Sequence, residues 1–224
     1  FKPTREFNAD DVVFSFMRMI DKEHPFRKAY PTEFPYASDT GLDANVKSVE
    51  AVDPYTVRFN MNKPDADLII KIAMPFASIL SAEFADQLVK EGRAEQINQL
   101  PVGTGPFVFR RYQKDAQIRY AGNKDYWEKD GVLVDNLVFA ITTDASVRYQ
   151  KMKAGECHIM SFPRPTDLAA MKEDPALKMI SAPGFNIGYL AYNMEKPQFQ
   201  KPEVRQALDM AINRKAIIDA VYQG

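Results

Sequence analysis

The chain has 224 residues, of which 46% are apolar and 26% charged, and its net charge is −1. That balance belongs to a globular protein, and the interspersed signs exclude the broad positive field that a nucleic-acid or anionic-membrane binder carries. No apolar run approaches the 18 residues of a membrane helix, and the longest, at residues 68–73, is interrupted by Lys71. Residues 8–21 (NADDVVFSFMRMID) read as a helix. Asn8 caps it, Asp11 completes a capping-box pattern, and Val13, Phe16, Met17 and Ile20 form one apolar stripe. Residues 24–45 hold Pro25, Pro31, Pro35 and Gly41 and predict an irregular segment. Its aromatics Tyr30, Phe34 and Tyr36 follow neither the helical nor the strand period. They either pack beneath the loop or line a ligand cleft, since clefts favour aromatics with a few polar groups.

Strands at 46–52 and 55–61 around Asp53-Pro54 predict a hairpin. Helices are expected at 64–73, where Asp65 and Asp67 suit the positive helix start, and at 82–91, stopped by Gly92. The run PVGTGP at 101–106 is a tight turn, with strands to follow at 107–112, 118–121 and 135–142. A helix at 144–154 ends at Gly155, a natural residue for leaving a helix. Further strands are expected at 157–161, 178–181 and 185–193, the last without charge and so buried on both faces. Further helices are expected at 165–173, 202–214 and 215–222. The alternation predicts an α/β fold.

Chemistry-bearing residues are sparse. The chain has two histidines, His24 and His158, and no G-x-S-x-G elbow. Cys157 and His158 are neighbours and would point to opposite faces of a strand, so no nucleophile–base pair is expected. Cys157 alone cannot form an internal disulfide and reads as a small buried hydrophobe. The chain begins at Phe1 and ends without a tail, so either its start was removed or it is an internal piece of a longer protein, and both edges read as cut.

Several strings in order resemble one family. Asn8-Ala9-Asp10-Asp11-Val12-Val13-Phe14-Ser15, Gly103-Thr104-Gly105-Pro106 and Asn123-Lys124-Asp125-Tyr126-Trp127 are similar to segments of the periplasmic dipeptide- and oligopeptide-binding proteins of ABC importers, the family 5 extracellular solute-binding proteins. So are Gly188-Tyr189-Leu190-Ala191-Tyr192-Asn193 and Val204-Arg205-Gln206-Ala207-Leu208. Asp144-Ala145-Ser146-Val147-Arg148-Tyr149 and Ala220-Val221-Tyr222-Gln223-Gly224 lie nearest the dipeptide-binding members.

The resemblance implies a two-lobed periplasmic-binding-protein-like fold, present as an internal fragment. Residues 1–105 would belong to the smaller lobe, 106–183 to the base α/β lobe, and 184–224 to a crossing strand and the start of the distal lobe. It implies capture of di- or oligopeptides between lobes by hinge closure, and delivery to ABC transporter permease subunits. It implies no enzyme activity, cofactor, metal or nucleic acid, a monomer when full length, and a periplasmic or lipid-anchored surface location. The implied ligand-binding residues are Tyr30, Phe34, Tyr36, Met74, Phe76, Ser78, Tyr189 and Tyr192. One of Tyr189 and Tyr192 would face the cleft and the other the core. A chelate-binding relative carries an arginine near the position of Ala77, so small residues there argue against a metal chelate as ligand. The rival ligands are haem, with His24 as a candidate axial group, and antimicrobial peptides.

Overall fold

The computed structural model describes residues 1–182, 184 and 187–222, and the chain divides into two compact units, Phe1–Phe139 and Ala140–Gly224. In the first unit, helix α1 (Ala9–Ile20) begins with the expected capping box: Asn8 accepts the Asp10 amide, and the Asp11 carboxylate accepts the Asn8 amide. The single stripe read from the sequence understates this helix. Phe14 enters one core with Phe26, Phe84, Leu88 and Ile97, while Phe16 and Met19 enter a second with Leu42, Val46, Val49 and Ala77. A helix lying between two cores is buried on more than one face, so Ser15 and Arg18 are buried as well.

The proline-rich segment is not irregular throughout. It forms α2 (Pro25–Ala29), α3 (Pro35–Asp39) and α4 (Leu42–Asn45). Pro25 and Pro35 stand in the first turns of α2 and α3, where a missing N–H costs nothing and the fixed φ suits a helix. Strands β1 (Val46–Asp53) and β2 (Thr56–Met61) form the expected antiparallel hairpin. The turn carbonyl of Pro54 accepts the Ala9 amide, pinning the hairpin to the start of α1.

Helix α5 (Leu68–Ile72) is shorter than the expected 64–73. Asp65 stays outside it, accepting from Asn45 Nδ2 at 3.1 Å, Lys71 Nζ at 2.7 Å and the amide of Asp67, the cap residue of α5, at 3.0 Å, so it ties the helix start to α4. A 3-10 turn at Pro75–Ala77, helix α6 (Ala82–Lys90) and a second 3-10 turn at Ala94–Asn98 complete this part.

The unit ends in a three-stranded sheet ordered β3 (Phe107–Gln113), β4 (Gln117–Gly122), β5 (Asn136–Ala140). Asn123 donates its side-chain amide to Gly105 O and its main-chain amide to Pro106 O, both at 2.8 Å. The NKDYW and GTGP strings are therefore one clamp.

In the second unit, α7 (Ala145–Lys153) is capped by Asp144 and left through Gly155 at φ 72°. A 3-10 turn (Pro165–Asp167) runs into α8 (Leu168–Glu173), and α9 (Pro197–Gln200), α10 (Pro202–Ala211) and α11 (Arg214–Tyr222) follow. The strands expected at 157–161 and 178–181 are not formed, nor is any strand over 187–193; Phe185 and Asn186 lie outside the described residues. A strand exists only when another strand satisfies its ladder, and among the described residues 141–222 there is none. The apolar side chains of these runs are open: Ile187 is 83% exposed and Ile159 86%. Cys157, expected to be buried, is half-buried.

Candidate functional site

The structure brings together two of the eight candidates, Tyr36 and Phe76. Tyr36 stands in the first turn of α3, and Phe76 is carried by the 3-10 turn that follows α5. Their rings stack at 6.1 Å between centroids with an interplanar angle of 11°. Phe76 is half-buried against the second core, whereas Tyr36 is 62% exposed. An exposed tyrosine stacked on an anchored phenylalanine offers a flat apolar surface with a polar tip and little rotamer entropy to lose. Met74 and Ser78 flank this turn. Met74 is half-buried and its carbonyl accepts the Ala77 amide, while the Ser78 hydroxyl is engaged with Pro75 O at 2.7 Å. Helix α5, leading into the turn, leaves Ile69 and Ile70 about 70% open.

Tyr30 and Phe34 are held in other ways. Tyr30 packs against the first core and its hydroxyl meets Asn98 Nδ2 at 3.5 Å. Phe34 is half-buried, with the Arg18 guanidinium 4.9 Å and the Arg27 guanidinium 5.4 Å from its ring centre. Arg18 is 92% buried, from its 8% relative exposure, and makes no ion pair among the described residues. Burial pushes its pKa down to about 10, which leaves it charged at neutral pH, and the Phe34 ring is the electron-rich surface facing that charge. Beside this loop lies a polar depression of about 390 Å³ lined by Lys22, Arg27, Pro31, Thr32 and Glu33, which includes none of the eight candidates.

The two candidates of the second unit behave differently. Tyr189 is 83% exposed. Tyr192 is half-buried, packs on Phe199 at 5.5 Å, and places its hydroxyl 3.4 Å from both Arg205 O and Asp209 Oδ1. Its pKa is raised by burial first and by the Asp209 carboxylate second.

His24 is engaged as the cap of α2. Its Nδ1 accepts the Phe26 amide at 3.2 Å and its ring meets Phe14 edge-on at 5.7 Å. Burial pushes its pKa below the usual histidine range, favouring the neutral ring that this acceptor role needs. Among the described residues no three His, Cys, Asp or Glu side chains gather in a way that could hold a metal, and no helix is long and apolar enough to cross a membrane.

Comparison with known proteins supplies the context. Di/tripeptide-binding protein 1 of Pseudomonas aeruginosa (strain UCBPP-PA14) is 66% identical over 224 residues, which is 100% of this chain and 42% of that protein. Heme-binding protein A of Haemophilus influenzae is 46% identical over 100% of this chain and 41% of its own length. Among solved structures, a dipeptide-binding protein from Pseudoalteromonas sp. SM9913 in complex with Met-Leu superposes with a TM-score of 0.93 at 35% identity, covering 100% of this chain and 44% of that one. The chain thus spans less than half the length of these relatives. The family model described as bacterial extracellular solute-binding proteins, family 5 Middle, matches residues 1–224, and the chain belongs to that family.

Proposed function

We propose that this chain is the central part of an extracytoplasmic solute-binding protein that captures di- and tripeptides and hands them to the permease of an ABC importer. The observation that carries the reading is the 66% identity, over every residue of the chain, to a di/tripeptide-binding protein. The exposed Tyr36–Phe76 stack supports it, because an aromatic surface of this kind accepts varied side chains without specific hydrogen bonds. In the first unit, Tyr36 and Phe76 are assigned to ligand binding, Met74 and Ser78 to shaping the turn behind Phe76, and Tyr30 and Phe34 to framing the loop. In the second unit, Tyr189 is assigned to ligand binding and Tyr192 to supporting its segment.

The same reading makes the protein a binder and not a catalyst, working outside the cytoplasm, with residues 1–105 in the smaller lobe. Haem is disfavoured because His24 Nδ1 accepts the Phe26 amide as the cap of α2, which puts the neutral ring's proton on Nε2 and leaves that nitrogen no lone pair for iron.

Calorimetry on the full-length protein tests this reading, with a dipeptide, a tripeptide, an octapeptide and haem as titrants. Micromolar or tighter binding of the two short peptides, with haem giving no heat and no shifted absorbance band, is the expected result. Haem binding without peptide binding would contradict it.

A further inference from the structure

Two charged side chains of α1 are buried, Asp11 and Arg18, and they are matched differently. Asp11 pairs with Arg5 and accepts main-chain amides as well. Arg18 is 8% exposed, its Nε has no hydrogen-bond partner, and among the described residues it makes no ion pair. A buried cation without a matching anion is costly, and an apolar side chain of the same length would fill that space without the cost.

What faces the charge is the ring of Phe34, whose centre lies 4.9 Å from the guanidinium carbon. Arg27 of α2 sets its own guanidinium 5.4 Å from the same ring and donates to Met19 O at 3.5 Å and Thr32 O at 3.3 Å. Phe34 is also the cap residue of α3. Its carbonyl accepts the amides of Ala37 at 3.0 Å and Ser38 at 3.2 Å, and no side chain caps the helix by a hydrogen bond. Two anchors therefore direct this five-residue helix, Ala37 in the second core and Phe34 beside Arg18. Tyr36 stands between them and stacks on Phe76.

We propose that Arg18 is a positioning residue for ligand binding: through the Phe34 ring it sets the first turn of α3 and so holds Tyr36 on Phe76. A charge kept at a cost to stability fits a residue retained for function. The inference rests on the assignment of Tyr36 and Phe76 to ligand binding, and every residue in it lies in the first unit.

The test uses full-length protein, leucyl-leucine as titrant, and a 3-fluorotyrosine label at Tyr36. In ligand-free Arg18→Met the fluorine resonance should move toward its value in Phe76→Leu, where the stack is absent. Leucyl-leucine should bind Arg18→Met and Phe34→Leu about fivefold more weakly, because affinity falls with the fraction of molecules that hold the ring in place. The double variant should be no weaker than either single one, and Phe34→Tyr, which keeps the ring face, should stay within about twofold of wild type. The melting midpoint of Arg18→Met should hold within about 3 °C or rise. An unchanged resonance and affinity in Arg18→Met would overturn the proposal. So would a midpoint lowered by more than about 5 °C, the mark of a broken ion pair, or a double variant about fivefold weaker than either single one, the mark of an effect that bypasses Phe34. Wild-type protein that binds no leucyl-leucine would refute the ligand-binding assignment, and the fluorine shift in the ligand-free protein would still decide whether Arg18 positions Tyr36.

Discussion

Replacing Asp11 by alanine should unlock the start of α1 from the start of α6. The Asp11 side chain is only 4% exposed and takes four hydrogen bonds. Arg5 donates two, at 2.8 and 2.9 Å, and the amides of Asn8 and Ala82 donate at 3.1 and 2.9 Å. Removing the carboxylate loses a charge-assisted pair and strands two amides, each worth about 1–3 kcal/mol if it finds no water. Arg5 is one-third exposed and can rehydrate, so the loss should be about 3 kcal/mol, the lower end for breaking a buried ion pair.

The charge also makes the effect pH-dependent. Burial raises the Asp11 pKa, but the hydrogen bonds from Arg5, Ala82 and Asn8 outweigh it, and the group ends below the usual aspartate value. A depressed carboxylate pKa contributes stability that is fully present above the unfolded value, about 3.9, and is lost as pH falls through the folded value. Urea unfolding of wild type, Asp11→Ala and Asp11→Asn from pH 7 to 3 would measure this, with amide exchange at Ala82 as the local reporter. The gap between wild type and Asp11→Asn should narrow below about pH 4. A cost under about 1 kcal/mol for Asp11→Ala, or a gap independent of pH, would refute the reasoning.

Two further substitutions probe the same unit and its neighbour. Ser15 is fully buried; its hydroxyl donates to Asp11 O at 2.6 Å and accepts the Leu80 amide at 2.8 Å. Ser15→Ala strands that amide and should cost about 1–2 kcal/mol in urea unfolding, whereas an unchanged midpoint would show that water replaces the hydroxyl. Gly155→Ala meets no atom within 4 Å, so its cost comes from the φ of 72° alone. It should destabilise the end of α7 by about 1 kcal/mol, read as faster amide exchange in its last turn.

Local signals were legible in the sequence and non-local ones were not. The Asn8–Asp11 capping box, the Asp53-Pro54 hairpin and the Gly155 helix exit each depend on residues within a few positions, and each forms as read. The helices at Pro25 and Pro35 were missed because proline breaks a helix only beyond its first turn. The runs at 157–161 and 178–181 have strand composition, but a strand also needs a partner, and composition does not name one. For the site, the aromatics of the proline-rich loop stood out, yet nothing in the sequence pairs Tyr36 with Phe76 across forty positions or sets Phe34 beneath two arginines.

The most direct test of the central claim is a calorimetric titration of leucyl-leucine into full-length wild type and into the Tyr36→Ala/Phe76→Ala variant. The account predicts saturable binding to wild type and a loss of about tenfold or more in the variant, at a melting midpoint lowered only slightly because Tyr36 is mostly exposed and Phe76 half-buried. Equal affinity in the two proteins would contradict the placement of the peptide on this aromatic surface.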